Sequence, residues 1–437
     1  MSIYSVLKTK IEKKSAVVTV IGLGYVGLPM AMEFCKNGYK VNGLDTSEKR
    51  IAKLKKKESY INDISSGEIA KVFKTGRFSV TLDDSVLSAS DAIVICVPTP
   101  LRKTYQPDVS YIVSVGKTLA KRVKRGQLII LESTTYPGTT REIILPMLEK
   151  NKLVLNKDFY LAFSPERIDP GNAKYDFTNI PKVVGGFTAE STELGRMLYS
   201  KVVKKVIGVS SPETAEVTKL LENTFRIVNI GLINEFANLC HKLEIDVWEV
   251  IRAAETKPFG FMPFYPGPGI GGHCIPADPI YLSWKARKIG FETKMIDLAA
   301  LVNREMPGHI VDRTEQMLKS RGKKIKGAKV FIMGVTYKKD VNDLRESPAL
   351  EIIENLEKKK AKIAYYDPYI PYLDLYKIKG CSVAPKPDIL KKQDIVIVVT
   401  DHSNVDYGSI AKHSRIVFDT RNVFERKGIR SGNVIKL

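Results

Sequence analysis

Residues 16–45 read Ala16-Val-Val-Thr-Val-Ile21-Gly22-Leu-Gly24-Tyr-Val-Gly27-Leu-Pro-Met-Ala-Met-Glu-Phe-Cys-Lys-Asn-Gly-Tyr-Lys40-Val-Asn-Gly-Leu44-Asp45. A short run rich in β-branched residues ends in a glycine turn. A helical pattern over 27–37 follows, and Lys40–Leu44 repeats the strand pattern. Between a strand and a helix, the spacing Gly22-x-Gly24-x-x-Gly27 carries physical meaning. The first glycine permits the tight turn, the second lets a pyrophosphate approach the backbone, and the third lets helix pack closely on sheet. Unpaired N–H groups at the helix start then face the phosphates. Asp45 stands 18 residues beyond Gly27. A carboxylate there bonds a ribose diol and repels a 2′-phosphate, so NAD is expected rather than NADP. The plain alternative is a structural glycine turn that binds nothing.

Outward from this stretch the alternation continues. Asp91–Val97, Gln127–Leu131 and Tyr160–Phe163 read as buried strands. Strand–helix alternation implies a parallel sheet with helices on both faces and right-handed crossovers. From Pro212 to Leu243 one long helical pattern runs, interrupted only by Gly231, and a second covers 247–254. A proline- and glycine-rich loop spans 258–279. A helix is expected from Pro279 to Lys288, and another centred on Leu298–Arg304. Ala328–Val335 opens a second α/β pattern, with a helix over 349–359 and strands at 362–366, 394–400 and 416–419. After its first strand comes Gly334-Val-Thr-Tyr-Lys-Lys, with two lysines where the glycine fingerprint would stand. A mononucleotide or its phosphates are expected at that strand end. The expected organisation is a dinucleotide-binding domain over 1–205, a helical domain over 206–320 and a second domain over 321–437. The fold class is α/β, with two Rossmann-like doubly wound domains joined by a long central helix.

Bulk properties exclude several classes. At 437 residues the chain exceeds one ordinary core. No apolar run reaches the roughly 18–20 residues of a membrane span. Met1–Lys14 is polar and lysine-rich, which argues against a secretory signal. The five cysteines are scattered with no CxxC pair. That argues for a reducing, cytoplasmic setting and against a disulfide framework, and the dispersed histidines offer no metal set. A formal charge of +21 suits anionic partners. The lysine clusters at 53–57, 323–326 and 358–362 lack interleaved aromatics, so nucleic acid is not expected.

The stretch most telling for chemistry is Gly267-Pro-Gly-Ile-Gly-Gly-His273-Cys274-Ile-Pro-Ala277-Asp278-Pro279. A cysteine at the end of a glycine-rich loop, where a ligand can approach backbone closely, reads as a nucleophile more readily than as a buried apolar residue. His273 is a possible base, though neighbours in an extended loop point apart. Asp278 before Pro279 is a common helix N-cap, and also a carboxylate able to take a proton or orient water. On the long helix Lys219, Asn223 and Arg226 share a stripe that is either a solvated face or a set of oxyanion donors. Glu132-Ser133-Thr134 and Ser164-Pro165-Glu166-Arg167 each follow a strand.

Together these motifs, above all Gly-Gly-His-Cys-Ile-Pro-Ala-Asp and Thr218-Lys219-Leu-Leu-Glu-Asn223, resemble the UDP-glucose/GDP-mannose dehydrogenase family over about residues 15–430. The resemblance implies a cytoplasmic NAD-dependent oxidoreductase of polysaccharide biosynthesis that converts a sugar CH2OH to a carboxylate. It implies Cys274 as nucleophile, Lys219 and Asn223 as oxyanion partners, Asp278 and Thr134 in a water and proton-transfer network, and Glu166 near the reacting carbon. Cofactor contacts would come from Gly22, Gly24, Gly27, Asp45, Arg50, Thr99, Thr134 and Arg345. Substrate contacts would come from Glu166, Arg167, Lys219, Asn223, Arg252, Tyr265, Gly271 and Lys338. The implied partners are a UDP-sugar and a second copy of the chain, through the central helix. Phe163–Asn172, Lys257-Pro-Phe-Gly-Phe and Tyr265-Pro-Gly-Pro-Gly resemble the branch acting on UDP-N-acetylhexosamines. Within it UDP-N-acetylglucosamine ranks first, then UDP-N-acetylmannosamine, with UDP-glucose third. Ala277 departs from relatives carrying Lys before the Asp. Two readings of other classes stand beside this one: a Cys–His acyl hydrolase and a non-catalytic NAD or nucleotide sensor.

Overall fold

The computed structural model describes all residues except 1, 62–63, 103–105, 151, 169–174, 176 and 376–377. The chain forms two compact units, Met1–Glu222 with Ile280–Phe291 and Asn223–Pro279 with Glu292–Leu437.

The first unit is built on strands β1 (Val17–Ile21), β2 (Lys40–Leu44), β3 (Phe78–Thr81), β4 (Ala92–Ile95), β5 (Gln127–Leu131), β6 (Phe159–Phe163), β7 (Lys182–Gly186) and β8 (Val206–Val209). They form one eight-stranded sheet in the order 3-2-1-4-5-6-7-8. All pairings are parallel except β6 with β7. Its helices are α1 (Ile3–Glu12), α2 (Gly27–Lys36), α3 (Glu48–Lys55), α4 (Ser66–Lys74), α5 (Ser110–Arg122), α6 (Leu145–Glu149) and α7 (Ala189–Tyr199). Successive strand residues point to opposite faces, and both faces are buried. Val94, Leu128 and Ile130 pack with Phe34 of α2 and Leu198 of α7. Ile93, Ile95, Ile129 and Leu131 pack with Ile112 and Leu119 of α5. The order reverses between β1 and β4, which leaves a crevice at their C-terminal ends. The sequence reading named neither α1 nor β7 and β8. The polar α1 is anchored by just two fully buried residues, Leu7 and Ile11. Strands β7 and β8 are short and glycine-bearing, a weak pattern on its own.

Helix α8 (Pro212–Lys242) carries the chain into the second unit. The others are α9 (Val247–Glu255), α10 (Cys274–Lys288), α11 (Lys294–Lys319), α12 (Pro348–Lys358), α13 (Pro387–Leu390), α14 (Tyr407–His413) and α15 (Val423–Arg426). The strands are β9 (Lys329–Met333), β10 (Lys362–Tyr366), β11 (Tyr372–Leu375), β12 (Ile378–Cys381), β13 (Ile395–Val398), β14 (Val417–Asp419) and β15 (Val434–Lys436). A parallel sheet runs in the order 10-9-13-14-15, and β11–β12 form a separate hairpin. Gly231 marks the close crossing of α8 and α11, since a Cβ there would meet Ala299 Cα at 3.1 Å. Val217, Leu221, Phe225, Leu232, Phe236, Leu239 and Leu243 of the α8 segment are exposed. Their spacing of three and four places them along one stripe. Among the described residues no helix is long and apolar enough to cross a membrane.

One expectation is corrected. Helix α10 begins at Cys274 rather than Pro279, so Asp278 lies inside the helix and is not its N-cap. Pro276 falls in the first turn, where an N–H has no intrahelical partner anyway. Pro279 is tolerated inside the helix at the cost of one hydrogen bond to the Ile275 carbonyl.

Candidate active site

The β1–α2 turn gives each glycine a different physical reason. Gly22 has φ +90°, and a Cβ there would meet the Cys96 carbonyl oxygen at 2.6 Å. At Gly27 a Cβ would meet the Gly22 carbonyl oxygen at 1.9 Å. Around Gly24 a Cβ would meet nothing within 4 Å. No neighbour among the described residues demands glycine at position 24, whereas a pyrophosphate approaching the backbone does. Asp45 is 5 % exposed and ends β2. Its carboxylate accepts from Leu23 N and Ser47 N, both at 2.8 Å, and pairs with Arg50 at 3.2 Å. The turn, the start of α2 and an acidic residue at the ribose position fit NAD.

Two loops extend the same sheet edge. Thr99 Oγ1 donates to the Thr134 carbonyl at 2.5 Å, and Tyr281 of α10 donates to the Thr99 carbonyl. Gly138 N, Thr140 N and Thr140 Oγ1 all donate to Glu216 of α8, which fixes the loop that carries Thr134. Burial pushes the Glu216 carboxyl up to about 7 against those donors. Glu166 follows β6, and its Oε1 accepts from Arg167 N and Ile168 N at 2.6 and 2.8 Å. Arg167 pairs with Glu222 at 2.6 Å and donates to the Pro181 carbonyl at 2.6 Å. On α8, Lys219 and Asn223 are buried while Arg226 is exposed, so only two of the three stripe residues face inward.

In the second unit half-buried Cys274 is the first residue of α10. The first-turn N–H groups favour negative charge there. Asp278, one turn on, is 2 % exposed, and Asn223 Nδ2 donates to its Oδ2 at 2.5 Å. The loop before Cys274 needs its glycines. A Cβ on Gly271 would meet Tyr337 Cβ at 2.6 Å and the Glu346 carbonyl oxygen at 2.7 Å. Gly272 has φ +81° and lies against the Tyr337 ring. Gly272 N donates to the Arg345 carbonyl at 2.9 Å. The loop's other end is tied by Gly267 N to Asn234 Oδ1, with Asn303 bonded to Asn234 behind it. Burial, then the Arg345 charge, hold His273 below its ordinary value, so it is neutral near pH 7.

Comparison with known proteins converges on one family. Models of the UDP-glucose/GDP-mannose dehydrogenase family match at residues 16–203 (NAD binding domain), 213–305 (central domain) and 331–426 (UDP binding domain). The chain belongs to this family. Protein CapL of Staphylococcus aureus is 36% identical over 413 residues, covering 93% of this chain and 96% of CapL. A Pseudomonas aeruginosa UDP-N-acetyl-D-glucosamine 6-dehydrogenase is 34% identical, covering 94% and 98%. The solved UDP-D-ManNAc dehydrogenase of Pyrococcus horikoshii superposes with a TM-score of 0.86 at 32% identity, covering 96% and 98%. The chain is therefore an NAD-dependent oxidoreductase with the fold of the nucleotide-sugar dehydrogenases.

The remaining family-derived positions divide. Arg345 pairs with Asp343 at 2.6 Å. Lys338 lies beside Tyr337, on which the glycine loop rests. Arg252 is exposed and pairs with Glu425 at 2.9 Å, while Tyr265 stacks on Trp248 and donates to Glu255. Asp169–Asn172 of the Phe163–Asn172 motif lie outside the described residues. Sequence reasoning missed Asn234, Asn303, Glu216 and Lys182. Each is buried, and polar residues beside two of them in sequence (Glu235 next to Asn234, Arg304 next to Asn303) hide that from a local pattern.

Proposed function

We propose that this dehydrogenase oxidises the C6 hydroxymethyl of a UDP-N-acetylhexosamine to a carboxylate, with UDP-N-acetylglucosamine as first choice and UDP-N-acetylmannosamine next. The observation that carries the reading is the α10 first turn, which joins Cys274 to a buried Asp278 held by Asn223. An acyl hydrolase has no use for the NAD turn, and a sensor has no use for Cys274. The named relatives act on both hexosamine epimers, which supports the acetamido branch and leaves C2 to the test below.

Gly22, Gly24, Gly27 and Asp45 would hold NAD, which would supply the oxidant for the two two-electron oxidations. Cys274 adds through its sulfur to the C6 aldehyde, giving a thiohemiacetal and, after the second oxidation, a thioester. Water attacks the thioester, the C–S bond breaks, and the thiol takes back a proton as the acid leaves. Lys219 and one N–H of the Asn223 amide stabilise the oxyanions, while the other N–H holds Asp278. Asp278 accepts the proton of the attacking water. Thr134 joins Asp278 in the water and proton-transfer network, and Glu166 acts near the reacting carbon. Lys338, Arg167 and Gly271 are assigned to the nucleotide-sugar side, as are Arg252 and Tyr265 at its periphery. The domains are assigned as 1–205, 206–320 and 321–437, and the enzyme as a cytoplasmic homodimer or larger assembly paired along the exposed α8 stripe.

The test is NADH formation with UDP-N-acetylglucosamine, UDP-N-acetylmannosamine and UDP-glucose in parallel. Preference for the first is expected. Preference for the second transfers the assignment to the other C2 epimer, and no NADH with any of the three overturns it.

A further inference from the structure

The single antiparallel pairing of the first sheet has a chemical consequence. Strands β6 and β7 pair antiparallel, with Phe163 opposite Gly185. Carrying that register three residues onward brings Glu166 opposite Lys182. Because β7 runs backwards, its first residue lies at the edge where β5 and β6 end, beside Glu132 and Glu166. A parallel β7 would deliver its last residue there instead.

Lys182 Nζ lies 3.1 Å from Glu132 Oε2, 3.4 Å from Glu166 Oε2 and 3.5 Å from the Pro165 carbonyl. The Lys182 and Glu132 side chains are 4% and 0% exposed, and Glu166 is 12% exposed. Tyr199 of α7 donates to the far oxygen of Glu132. One buried ammonium therefore serves two carboxylates, of which only Glu166 reaches solvent.

We propose that Lys182, with Glu132 behind it, is the positioning pair that orients the Glu166 carboxylate, so that Glu166 acts at the reacting carbon as a proton acceptor. This rests on the reading of Glu166 given above. Burial decides how the ammonium's charge is shared. Fully buried Glu132 is pushed up to about 7 by desolvation, with Lys182 opposing. The ammonium that Glu132 draws on also lies 3.4 Å from Glu166, the carboxylate that reaches solvent. Burial works against the ammonium of Lys182, yet Glu132 and Glu166 together hold its pKa above the ordinary lysine value. Among the described residues, the other groups around Glu166 do not compete. Burial drives the Cys96 thiol and the Tyr199 phenol well up, so both are neutral. Arg167 is engaged by Glu222 and the Pro181 carbonyl.

Two variants should act in opposite directions. Lys182→Met removes the cation, lowers kcat by roughly tenfold or more with the KM for NAD little changed, and moves the acid limb of the kcat–pH profile up by about one unit. Glu132→Gln removes the competing carboxylate, leaves Lys182 wholly to Glu166 and moves the same limb down. Lys182→Arg keeps the charge and restores most of kcat. The readout independent of turnover is a 13C-carboxyl titration of Glu166, recognised by its absence in Glu166→Gln. Its midpoint should rise in Lys182→Met and fall in Glu132→Gln. Shifts in the same direction, or none, overturn the proposal even if no UDP-sugar is oxidised. Where Lys182→Met does not fold, Glu132→Gln against the unmodified protein decides alone.

Discussion

The two sheets solve the same local problem and then part. Each first strand ends in a left-handed glycine, Gly22 at φ +90° and Gly334 at φ +81°. Each second strand ends in a buried aspartate that accepts backbone N–H groups of the turn, Leu23 for Asp45 and Val335 with Thr336 for Asp367. Beyond that point the first turn runs directly into α2 at Gly27, with open space at Gly24. In the second, no helix starts before Pro348. Buried His402 donates to Asp367 at 2.9 Å and accepts from Asp340 N at 3.0 Å. Topology fixes where a nucleotide can approach. The residues after the turn decide whether an empty cradle with a helix N-terminus or a filled polar network is waiting.

The largest expected effect touches neither turn. Cys274→Ser should lower carboxylate formation by roughly a thousandfold or more, as loss of a covalent nucleophile does. Product assay with parallel NAD titration checks it, with NAD affinity unaltered. Carboxylate formed at the original rate would remove the thiol from the mechanism.

Paired glycine variants break the comparison more directly. Gly24→Val should leave the thermal midpoint alone and weaken NAD binding by at least about tenfold, or about 1.4 kcal/mol. Gly334→Ala meets the Thr400 carbonyl oxygen at 2.4 Å in a left-handed backbone. It should cost about 1–3 kcal/mol of stability, with NAD affinity of the folded protein intact. Calorimetry and NAD titration on both variants would expose a reversed pattern.

The aspartates sharpen the same contrast. Asp45→Asn should weaken NAD and relax discrimination against NADP by about tenfold, because Arg50 loses its ion pair and becomes a 2′-phosphate partner. Asp367→Asn weakens the acceptor shared by His402 and two backbone groups, and should destabilise by about 1–3 kcal/mol without altering cofactor choice.

The smallest effect is a pH slope. Folded Glu216 keeps its proton up to about 7, whereas an ordinary glutamate releases it near 4.5. Between those values the folded state binds more protons, so this group's contribution to stability falls as pH rises. The thermal midpoint of Glu216→Gln relative to the unmodified protein should therefore improve from pH 5 to 8. A flat difference would mean that Glu216 is ionised throughout.

Much of this was legible in the residues, because period and turn chemistry are local. The β1 run, the three glycines and Asp45 form one continuous stretch, and Lys362–Tyr366 alternates into the second sheet as written. Asp-Pro imitates a helix cap and hides the true start of α10, while burial and the Asn223 contact show Asp278 turned inward. Lys182 was illegible for a different reason. Its meeting with Glu166 depends on the direction of β7, a long-range pairing that no local pattern records.

The central claim is a four-electron oxidation that passes through a Cys274 thioester. The measurement that tests it most directly is the ratio of NADH to uronate product at completion with the preferred UDP-N-acetylhexosamine. Two NADH per carboxylate is the predicted result. One NADH with accumulation of aldehyde would contradict it.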